Sequence, residues 1–231
     1  MRDLLTITTL SPRPRVVALN YTAQTGRVRE RFEGKDENIV NMADIYCLLG
    51  SRYLELGKFE QAKAAFDSCL ALDRNEVAVR IERAALLRKA GNNKAAIEDL
   101  NFVVSARPKF VDGYLERAKL KDALGDRSAL DDYSKVVELG PKDPGSYIMR
   151  AEYYRRNKQF ARAIEDFNQA IKLSPADGDA YIGRGQAHES LSQWALALAD
   201  YRKAMTLSSE DKVMLSEKID KLVKLLGKNG R

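Results

Sequence analysis

The sequence predicts an all-α fold built from five consecutive helix-turn-helix repeats, and three observations lead to this fold class. Gly57, Gly91 and Gly125 are each 34 residues apart, and Lys158 and Ser192 continue the series at spacings of 33 and 34. Two stretches of about 13 residues flank each of these positions, with apolar residues at helical spacing. Alanine and a large apolar residue recur at fixed places in the second stretch of every repeat.

The repeats share a common frame in which the mid-repeat turn residue stands at position 15. They cover residues 43–76, 77–110, 111–143, 144–177 and 178–211, and the third is one residue short just after Gly125. The large apolar residue at position 24 is Phe66, Leu100, Tyr133, Phe167 or Tyr201. A ring at this position needs a small residue on the partner helix, because closely packed helices alternate large and small side chains.

Prolines at position 32 predict where three of the second helices end. Pro108, Pro141 and Pro175 lack the backbone donor that a continuing helix needs, so each second helix is expected to stop before them.

The pattern resembles the tetratricopeptide repeat family, which has an aromatic residue at position 4, a small residue at 8, glycine at 15, alanine at 20, an aromatic at 24 and proline at 32. The fourth repeat, with Tyr147, Ala151, Ala163, Phe167 and Pro175, follows nearly every position. The resemblance covers about three quarters of the chain and implies a right-handed α-solenoid. Arg80 at position 4, with Lys121 and His188 at position 11, depart from the pattern.

Residues 212–231 are predicted to form a capping helix with a basic tail, because stacked helix pairs need a cover at their ends. The apolar stripe of this helix is Val213, Met214, Ile219, Leu222, Val223 and Leu226. A basic helix for a membrane surface or for a partner is the alternative.

Residues 1–35 do not share the repeat and are expected to form a basic extended or irregular arm, with a possible short hairpin between Leu4 and Tyr21. The arm is either flexible or an ordered segment that docks on the repeats or on a partner. Its arginines also suggest, loosely, an organelle transit peptide. The repeat domain is then residues 36–211.

Composition and charge favour a soluble folded protein. The 231 residues are 45% hydrophobic and 31% charged, and no apolar run approaches the ~18 residues of a membrane span. The net charge of +6 comes from +2 in residues 1–42 and +4 in residues 212–231, so residues 43–211 are neutral. A neutral repeat region argues against binding of a nucleic acid along the length of the repeats, because such binding needs repeated Lys and Arg contacts to phosphates. Binding of nucleic acid through the basic flanks, with Arg27, Arg29 and Arg31, is an alternative.

The two cysteines, Cys47 and Cys69, are too few for a disulfide framework and lack a second pair at metal-ligand spacing. We expect both to be reduced and to act as small hydrophobic residues. A cytoplasmic location follows, with an organelle or the periplasm as the alternative if the N-terminal segment is a targeting sequence.

Arginine at position 7 and aspartate at position 23 occur together in repeats two to five, whereas the first repeat has Leu49 and Ala65 in their place. The co-occurrence predicts four inward-facing structural ion pairs, each joining the two helices of a repeat. The pairs are Arg83 with Asp99, Arg117 with Asp132, Arg150 with Asp166, and Arg184 with Asp200. A row of ligand-binding arginines would not require the matching acids. Removing one partner of a deeply buried pair costs about 3 to 5 kcal/mol.

The resemblance also implies a concave groove lined by the first helices of the repeats. Transferring the groove positions of the family gives a partner-binding set: Asp44, Cys47, Leu48, Ile81, Glu82, Arg88, Asp112, Leu115, Glu116, Lys119, Ile148, Met149, Glu152, Arg155 and Ile182. Position 5 forms an apolar row across this set. All groove positions together carry nine acids and five bases, a net charge of −4.

The expected function is that of a protein-protein interaction scaffold or adaptor, whose groove receives an extended or helical segment with apolar anchors and some basic residues. A noncatalytic subunit of a larger assembly is an alternative. The terminal carboxylate of heat-shock chaperones is not the expected ligand. The clamp positions of co-chaperones in this family correspond here to Cys47, Ser51, Glu82, Asp112 and Glu116, which would repel or ignore an anion.

Catalysis is not expected, and neither is a metal or a cofactor. His188 is the only histidine, so no catalytic triad or multi-histidine metal site can be assembled around it. No glycine-rich phosphate loop is present in the sequence.

Overall fold

The structure, a computed structural model, describes residues 16–22, 27–32, 38–207 and 212–229. The described residues form three strands followed by eleven helices. The chain divides into two compact bodies, an N-terminal body, Met1–Pro108, and a C-terminal body, Lys109–Arg231.

The N-terminal body begins with a three-stranded antiparallel sheet in the order β1-β2-β3. Its strands are β1 (Val16–Thr22), β2 (Arg27–Phe32) and β3 (Asn38–Asn41). Strands β1 and β2 pair as a hairpin, which extends further along the chain than the short one considered from the sequence. Strand β3 lies beyond the predicted boundary after residue 35 and pairs with β2. The expected arm from residue 1 to 15 lies outside the described residues.

Four helices follow the sheet and pack as two successive antiparallel pairs. They are α1 (Met42–Glu55), α2 (Phe59–Leu72), α3 (Val77–Lys89) and α4 (Asn93–Ala106). The Asn41 side chain accepts a hydrogen bond from the Ala43 amide at 3.1 Å and so caps α1. The sheet therefore leads directly into the first helix pair.

The packing of α1 on α2 depends on a small residue opposite a ring. Phe66 is fully buried, and a Cβ added at Gly50 would overlap its ring. Gly50 stands at position 8 and Phe66 at position 24, so the predicted small-to-large complementarity is present in the first pair.

The C-terminal body contains three further helix pairs and a final single helix. The helices are α5 (Val111–Ala123), α6 (Ala129–Leu139), α7 (Pro144–Arg156), α8 (Phe160–Leu173), α9 (Gly178–Ser190), α10 (Trp194–Leu207) and α11 (Lys212–Asn229). The one-residue deletion after Gly125 falls in the turn before α6. The Asp126 carboxylate accepts a hydrogen bond from the Ser128 amide there at 2.9 Å.

The position-32 prolines mark helix ends as predicted. Helices α4, α6 and α8 end at Ala106, Leu139 and Leu173, two residues before the corresponding proline. The missing proline N–H and the ring's restriction of the preceding residue favour these ends, and α2 ends at the same repeat position with Arg74 in place of proline.

Helix α11 covers the end of the last pair with four of the six residues predicted for its stripe, Met214, Ile219, Leu222 and Leu226. Leu215 and Leu222 are buried against α10 at 0% and 1% exposure. Val213 and Val223, which were predicted to lie in the stripe, are 75% and 43% exposed. The helix therefore presents the face centred on Leu215 and Leu222, rotated away from the two valines.

Candidate functional site

The four predicted arginine-aspartate pairs join the two helices of their repeats. The arginine Nε atom donates to one aspartate oxygen at 2.8 to 2.9 Å in every case. A terminal guanidinium nitrogen donates to the other oxygen, so each contact is bidentate. The pairs connect Arg83 to Asp99, Arg117 to Asp132, Arg150 to Asp166, and Arg184 to Asp200.

The two partners of these pairs differ in burial. The aspartates are only 2% to 5% exposed, whereas the arginine side chains keep 16% to 21% of their surface exposed. Hydrogen bonding to Asp166 raises the pKa of Arg150 even though burial opposes the rise, and Asp200 does the same for the pKa of Arg184. The aspartate is therefore the deeply buried partner, and the arginine is its partly solvated counterion.

The three residues that depart from the family pattern all approach these same aspartates. Arg80 Nη1 lies 2.9 Å from Asp99 Oδ1 on the neighbouring helix. Lys121 Nζ donates to Asp132 Oδ2 at 2.9 Å. His188 Nε2 lies 3.9 Å from an Asp200 oxygen, and its Nδ1 is 2.6 Å from Gln193 Oε1. These second contacts were missed by sequence reasoning, although all three departures are basic or imidazole side chains facing position 23.

Arg83 and Arg184 also connect successive helix pairs. Arg83 Nη1 donates to Asp67 Oδ1 on α2 at 2.7 Å, and Arg184 Nη1 donates to Asn168 Oδ1 on α8 at 2.6 Å. Asp67 and Asn168 both stand at position 25, one residue beyond the large apolar residue of the preceding repeat. In these two repeats, the arginine at position 7 therefore bonds to the second helix of its own repeat and also to the second helix of the preceding repeat.

In the first repeat the pair is replaced by apolar packing. Ala65 is 4% exposed on α2, and Leu49 is half-buried on α1. Position 23 there is the alanine itself, so it contributes no buried charge that needs a partner.

The predicted groove residues of the N-terminal body lie on α1 and α3. Leu48 is 68% exposed, Asp44 and Arg88 are exposed, and Ile81 and Glu82 are half-buried. The Ser51 hydroxyl on α1 donates to Glu82 Oε2 on α3 at 2.7 Å. The two first helices of this body are thus linked through one of the predicted acids.

Cys47 and Cys69 form a disulfide between α1 and α2, with Cα atoms 5.2 Å apart. The expectation that both cysteines are reduced is therefore wrong. The antiparallel pairing of the two helices sets position 5 of the first against position 27 of the second, within the usual Cα separation of a disulfide. A sequence separation of 22 residues does not reveal this register.

The predicted groove residues of the C-terminal body lie on α5, α7 and α9. They are Asp112, Leu115, Glu116 and Lys119 on α5, Ile148, Met149, Glu152 and Arg155 on α7, and Ile182 on α9. Each is half-buried or exposed, and Met149 is 36% exposed. Leu115, Ile148 and Ile182 pack with one side against the cores around Tyr133, Phe167 and Tyr201, so Met149 is the most accessible apolar member.

Most of the predicted acids in this body are held by neighbouring cations. Lys119 Nζ lies 2.9 Å from Glu116, and Arg155 Nη2 lies 2.7 Å from Glu152 on the same helix. Within the described part of the chain, no ion pair involves Asp112 or, in the other body, Asp44. The negative charge available to a ligand is therefore concentrated at the first turns of α5 and α1.

Glu189 is engaged by the capping helix. Its carboxylate accepts from the Tyr201 hydroxyl at 2.7 Å and from Lys218 Nζ on α11 at 3.1 Å. Burial alone would raise the pKa of Glu189, but these two hydrogen bonds and the charges of Lys218 and Lys221 outweigh burial and lower it. The acid thus belongs to the contact between α9, α10 and α11.

Neither a metal cluster nor a membrane-spanning helix occurs among the described residues. Over the ranges that the structure describes, no group of three or more His, Cys, Asp or Glu side chains could hold a metal ion. None of the described helices is both long and apolar enough to cross a bilayer.

Comparisons with known proteins identify the repeat. Two tetratricopeptide repeat profiles match the chain, one at residues 43–76 and the other at residues 148–211. A search of curated protein sequences finds no match.

Solved structures share the fold. MamA is 21% identical, with a TM-score of 0.66 over 74% of this chain and 94% of MamA. YrrB, a tetratricopeptide repeat protein with an unusual peptide-binding site, is 18% identical, with a TM-score of 0.63 over 78% of this chain and 92% of YrrB. A tetratricopeptide repeat protein from Parabacteroides merdae is 17% identical, with a TM-score of 0.70 over 82% of this chain and 75% of its own.

These similarities confirm the predicted class of helical-repeat fold. The matched profiles fall on the helix pairs α1 with α2 and α7 to α10, where the family positions carry the buried alanines and rings described above. The chain therefore contains tetratricopeptide repeats at residues 43–76 and 148–211, and such repeats support a role as a protein-protein interaction scaffold.

Proposed function

We propose that the chain is an adaptor that holds an extended or helical segment of a partner protein on the exposed sides of its first helices. The observation that carries the proposal is the combination of accessible apolar side chains and exposed carboxylates on those helices. In the N-terminal body the carriers are Leu48 and Asp44 on α1, and in the C-terminal body they are Met149 on α7 and Asp112 on α5.

The apolar side chains supply affinity. Leu48 exposes 68% of its surface, and the position-5 residues Ile81, Leu115, Ile148 and Ile182 are only partly covered. Covering such side chains with a partner yields about 25 cal/mol for each Å² of apolar surface removed from water. A partner segment with apolar residues at helical or alternating spacing is the natural complement.

The carboxylates supply register and rate of association. Asp44 and Asp112 are exposed, and they favour a partner with a basic residue near its apolar anchor. Glu82 and Glu116 add negative charge but are already bonded to Ser51 and Lys119. The peptide-binding site of YrrB belongs to that protein, and it supports a peptide ligand here only through the shared fold.

The disulfide between Cys47 and Cys69 gives information about the cellular compartment in which the protein works. Bridges of this kind persist in oxidising surroundings. The bond between Cys47 and Cys69 therefore favours the periplasm or an organelle lumen over the cytoplasm for this adaptor.

Charge reversal tests the proposal. A partner is first recovered by affinity purification from native cells, and its contacting segment is then measured by calorimetry against Asp44→Lys combined with Asp112→Lys. We expect affinity to fall at least tenfold, about 1.4 kcal/mol, because two attractive contacts become repulsive. Glu98→Lys with Glu165→Lys, both exposed on second helices, is the matched control. Equal affinity for both double variants would refute the groove assignment.

A further inference from the structure

A second exposed surface lies in the C-terminal body, away from the predicted groove residues. It is an open notch of about 550 Å³ at the turn between α7 and α8, bordered by the turn between α9 and α10. Its lining is Lys158, Gln159, Phe160, Ala161, Arg162 and Leu191. The exposed lining is mostly apolar: Leu191 is 41% exposed, and Phe160 is half-buried.

The backbone of these two turns is unusual. Lys158 has φ 58° and Ser192 has φ 59°, in the left-handed region, where the corresponding turns of the first three repeats have glycine. A side chain in this conformation costs about 1 kcal/mol relative to glycine. Lys158, which adopts this conformation, lies at the edge of the notch, and its side chain is exposed to solvent.

The notch is basic. Arg162 Nη1 donates to Gln159 Oε1 at 2.9 Å, which holds the guanidinium beside the apolar lining. Lys158 is exposed, and no acid pairs with it among the residues that the structure describes. Two positive charges therefore flank Phe160 and Leu191 without an acidic counterpart within the lining.

The matching turn of the N-terminal body lacks this combination. Its residues at the positions of Lys158 to Arg162 are Gly57, Lys58, Phe59, Glu60 and Gln61, so glycine replaces the notch lysine, and the charges of Lys58 and Glu60 cancel. Lys89 Nζ lies 5.6 Å from the centre of the Phe59 ring, and Ala90 stands where the C-terminal body has Leu191. The N-terminal turn thus offers a chain-internal control.

We propose that the notch docks a partner segment in which one large apolar side chain is flanked by acidic residues. The apolar side chain lies against Phe160 and Leu191, and the carboxylates face Lys158 and Arg162. This charge preference is opposite to that of the predicted groove, so the adaptor carries two surfaces for chemically different segments.

A synthetic peptide tests the proposal with the full chain. The probe is a short fluorescent peptide of Glu, Asp, Ser and Gly with a single central Phe, followed by fluorescence polarisation. We expect saturable binding that weakens about tenfold when the peptide Phe is replaced by Ala, because the apolar contact is lost. Binding should weaken about fivefold when its acids are replaced by amides.

Variants of the chain locate the contact. Lys158→Glu should weaken peptide binding about fivefold or more, and Leu191→Ser about tenfold, whereas Lys58→Glu should leave it unchanged. Lys158→Gly should weaken binding while raising thermal stability, so loss of binding in that variant cannot come from misfolding.

Several results would overturn the proposal. They are the absence of saturable binding, equal affinity for the Phe and Ala peptides, and equal effects of Lys158→Glu and Lys58→Glu. Sedimentation that shows self-association abolished by Leu191→Ser would assign the notch to a second copy of the chain instead. None of these measurements depends on the groove residues, so they leave the proposed function untouched.

Discussion

Lys121 Nζ lies 2.9 Å from Asp132 Oδ2, so the lysine shares the carboxylate that Arg117 also binds. Lys121 is 15% exposed and Asp132 4% exposed in their side chains, which places two cations on one buried acid. Asp166 in the next repeat has Arg150 as its counterion. The two aspartates occupy the same position of successive repeats but are contacted by different sets of cations.

Replacing each of these two aspartates by alanine should show how the loss of stability depends on the number of cations that lose their partner. Asp132→Ala leaves two cations poorly solvated, and Asp166→Ala leaves one. We expect losses in the free energy of unfolding of about 3 to 5 kcal/mol and about 2 to 3 kcal/mol respectively, the smaller value reflecting the partly exposed guanidinium. Urea denaturation of each variant measures the difference. Lys121→Leu added to Asp132→Ala should recover part of the loss, and an unchanged loss would contradict the shared-carboxylate interpretation.

The apolar pair of the first repeat, Leu49 and Ala65, should be able to replace an arginine-aspartate pair in another repeat. Arg150→Leu with Asp166→Ala reproduces the Leu49 and Ala65 arrangement in the fourth repeat. The double variant should be more stable than Asp166→Ala alone by at least about 1 kcal/mol, because no charge is left without its partner. A full double-mutant cycle by denaturation measures the coupling. Additive losses would mean that the pair is not coupled.

Reduction of the disulfide should destabilise the first helix pair. A bridge closing a loop of about this length contributes about 3 kcal/mol, so the reductant TCEP should lower the melting temperature of the wild-type chain. Cys47→Ser with Cys69→Ala should melt at the reduced value and show no response to TCEP. Two free thiols per chain, titrated in the purified unfolded protein without reductant, would contradict the bridge.

The contact of Glu189 with the capping helix should depend on pH. The pKa of Glu189 is lowered in the folded state, so its stabilising contribution is complete above the unfolded pKa and is lost as pH falls through the folded one. Wild type should therefore exceed Glu189→Gln in stability at neutral pH, and the gap should close in acid. Denaturation curves at pH values on both sides of the carboxyl range measure it, with Glu217→Gln, an exposed acid of α11, as control. A gap that is constant with pH would exclude the charged contact.

Glycine should stabilise the last two turns. Lys158→Gly and Ser192→Gly each remove a left-handed conformation from a side-chain-bearing residue and should raise stability by about 1 kcal/mol. The reverse change, Gly91→Ala, should lower it by a similar amount. The melting temperatures of the three variants show whether each substitution stabilises or destabilises the protein. A lower melting temperature for Lys158→Gly would show that the lysine side chain makes a stabilising contact.

The period of the sequence determined the helix pairs, their turns and the pairing of position 7 with position 23. These features are local or lie within one repeat, where the antiparallel helix hairpin fixes which positions meet. The ends of α4, α6 and α8 were predicted from the prolines, but α2 ends at the same repeat position with Arg74 in place of proline, so the turn between repeats also ends these helices.

Only the tertiary structure decided the contacts of residues that stand at their position in a single repeat, because no co-occurrence across repeats reveals the partners of such residues. The bond between Cys47 and Cys69, the approach of Arg80 and Lys121 to buried aspartates, and the choice of Leu215 over Val213 on the capping helix all depend on the rotation of one helix against another. A rotation of one residue, about 100°, turns a side chain from the core to the solvent, and the apolar pattern of a short helix tolerates more than one such setting.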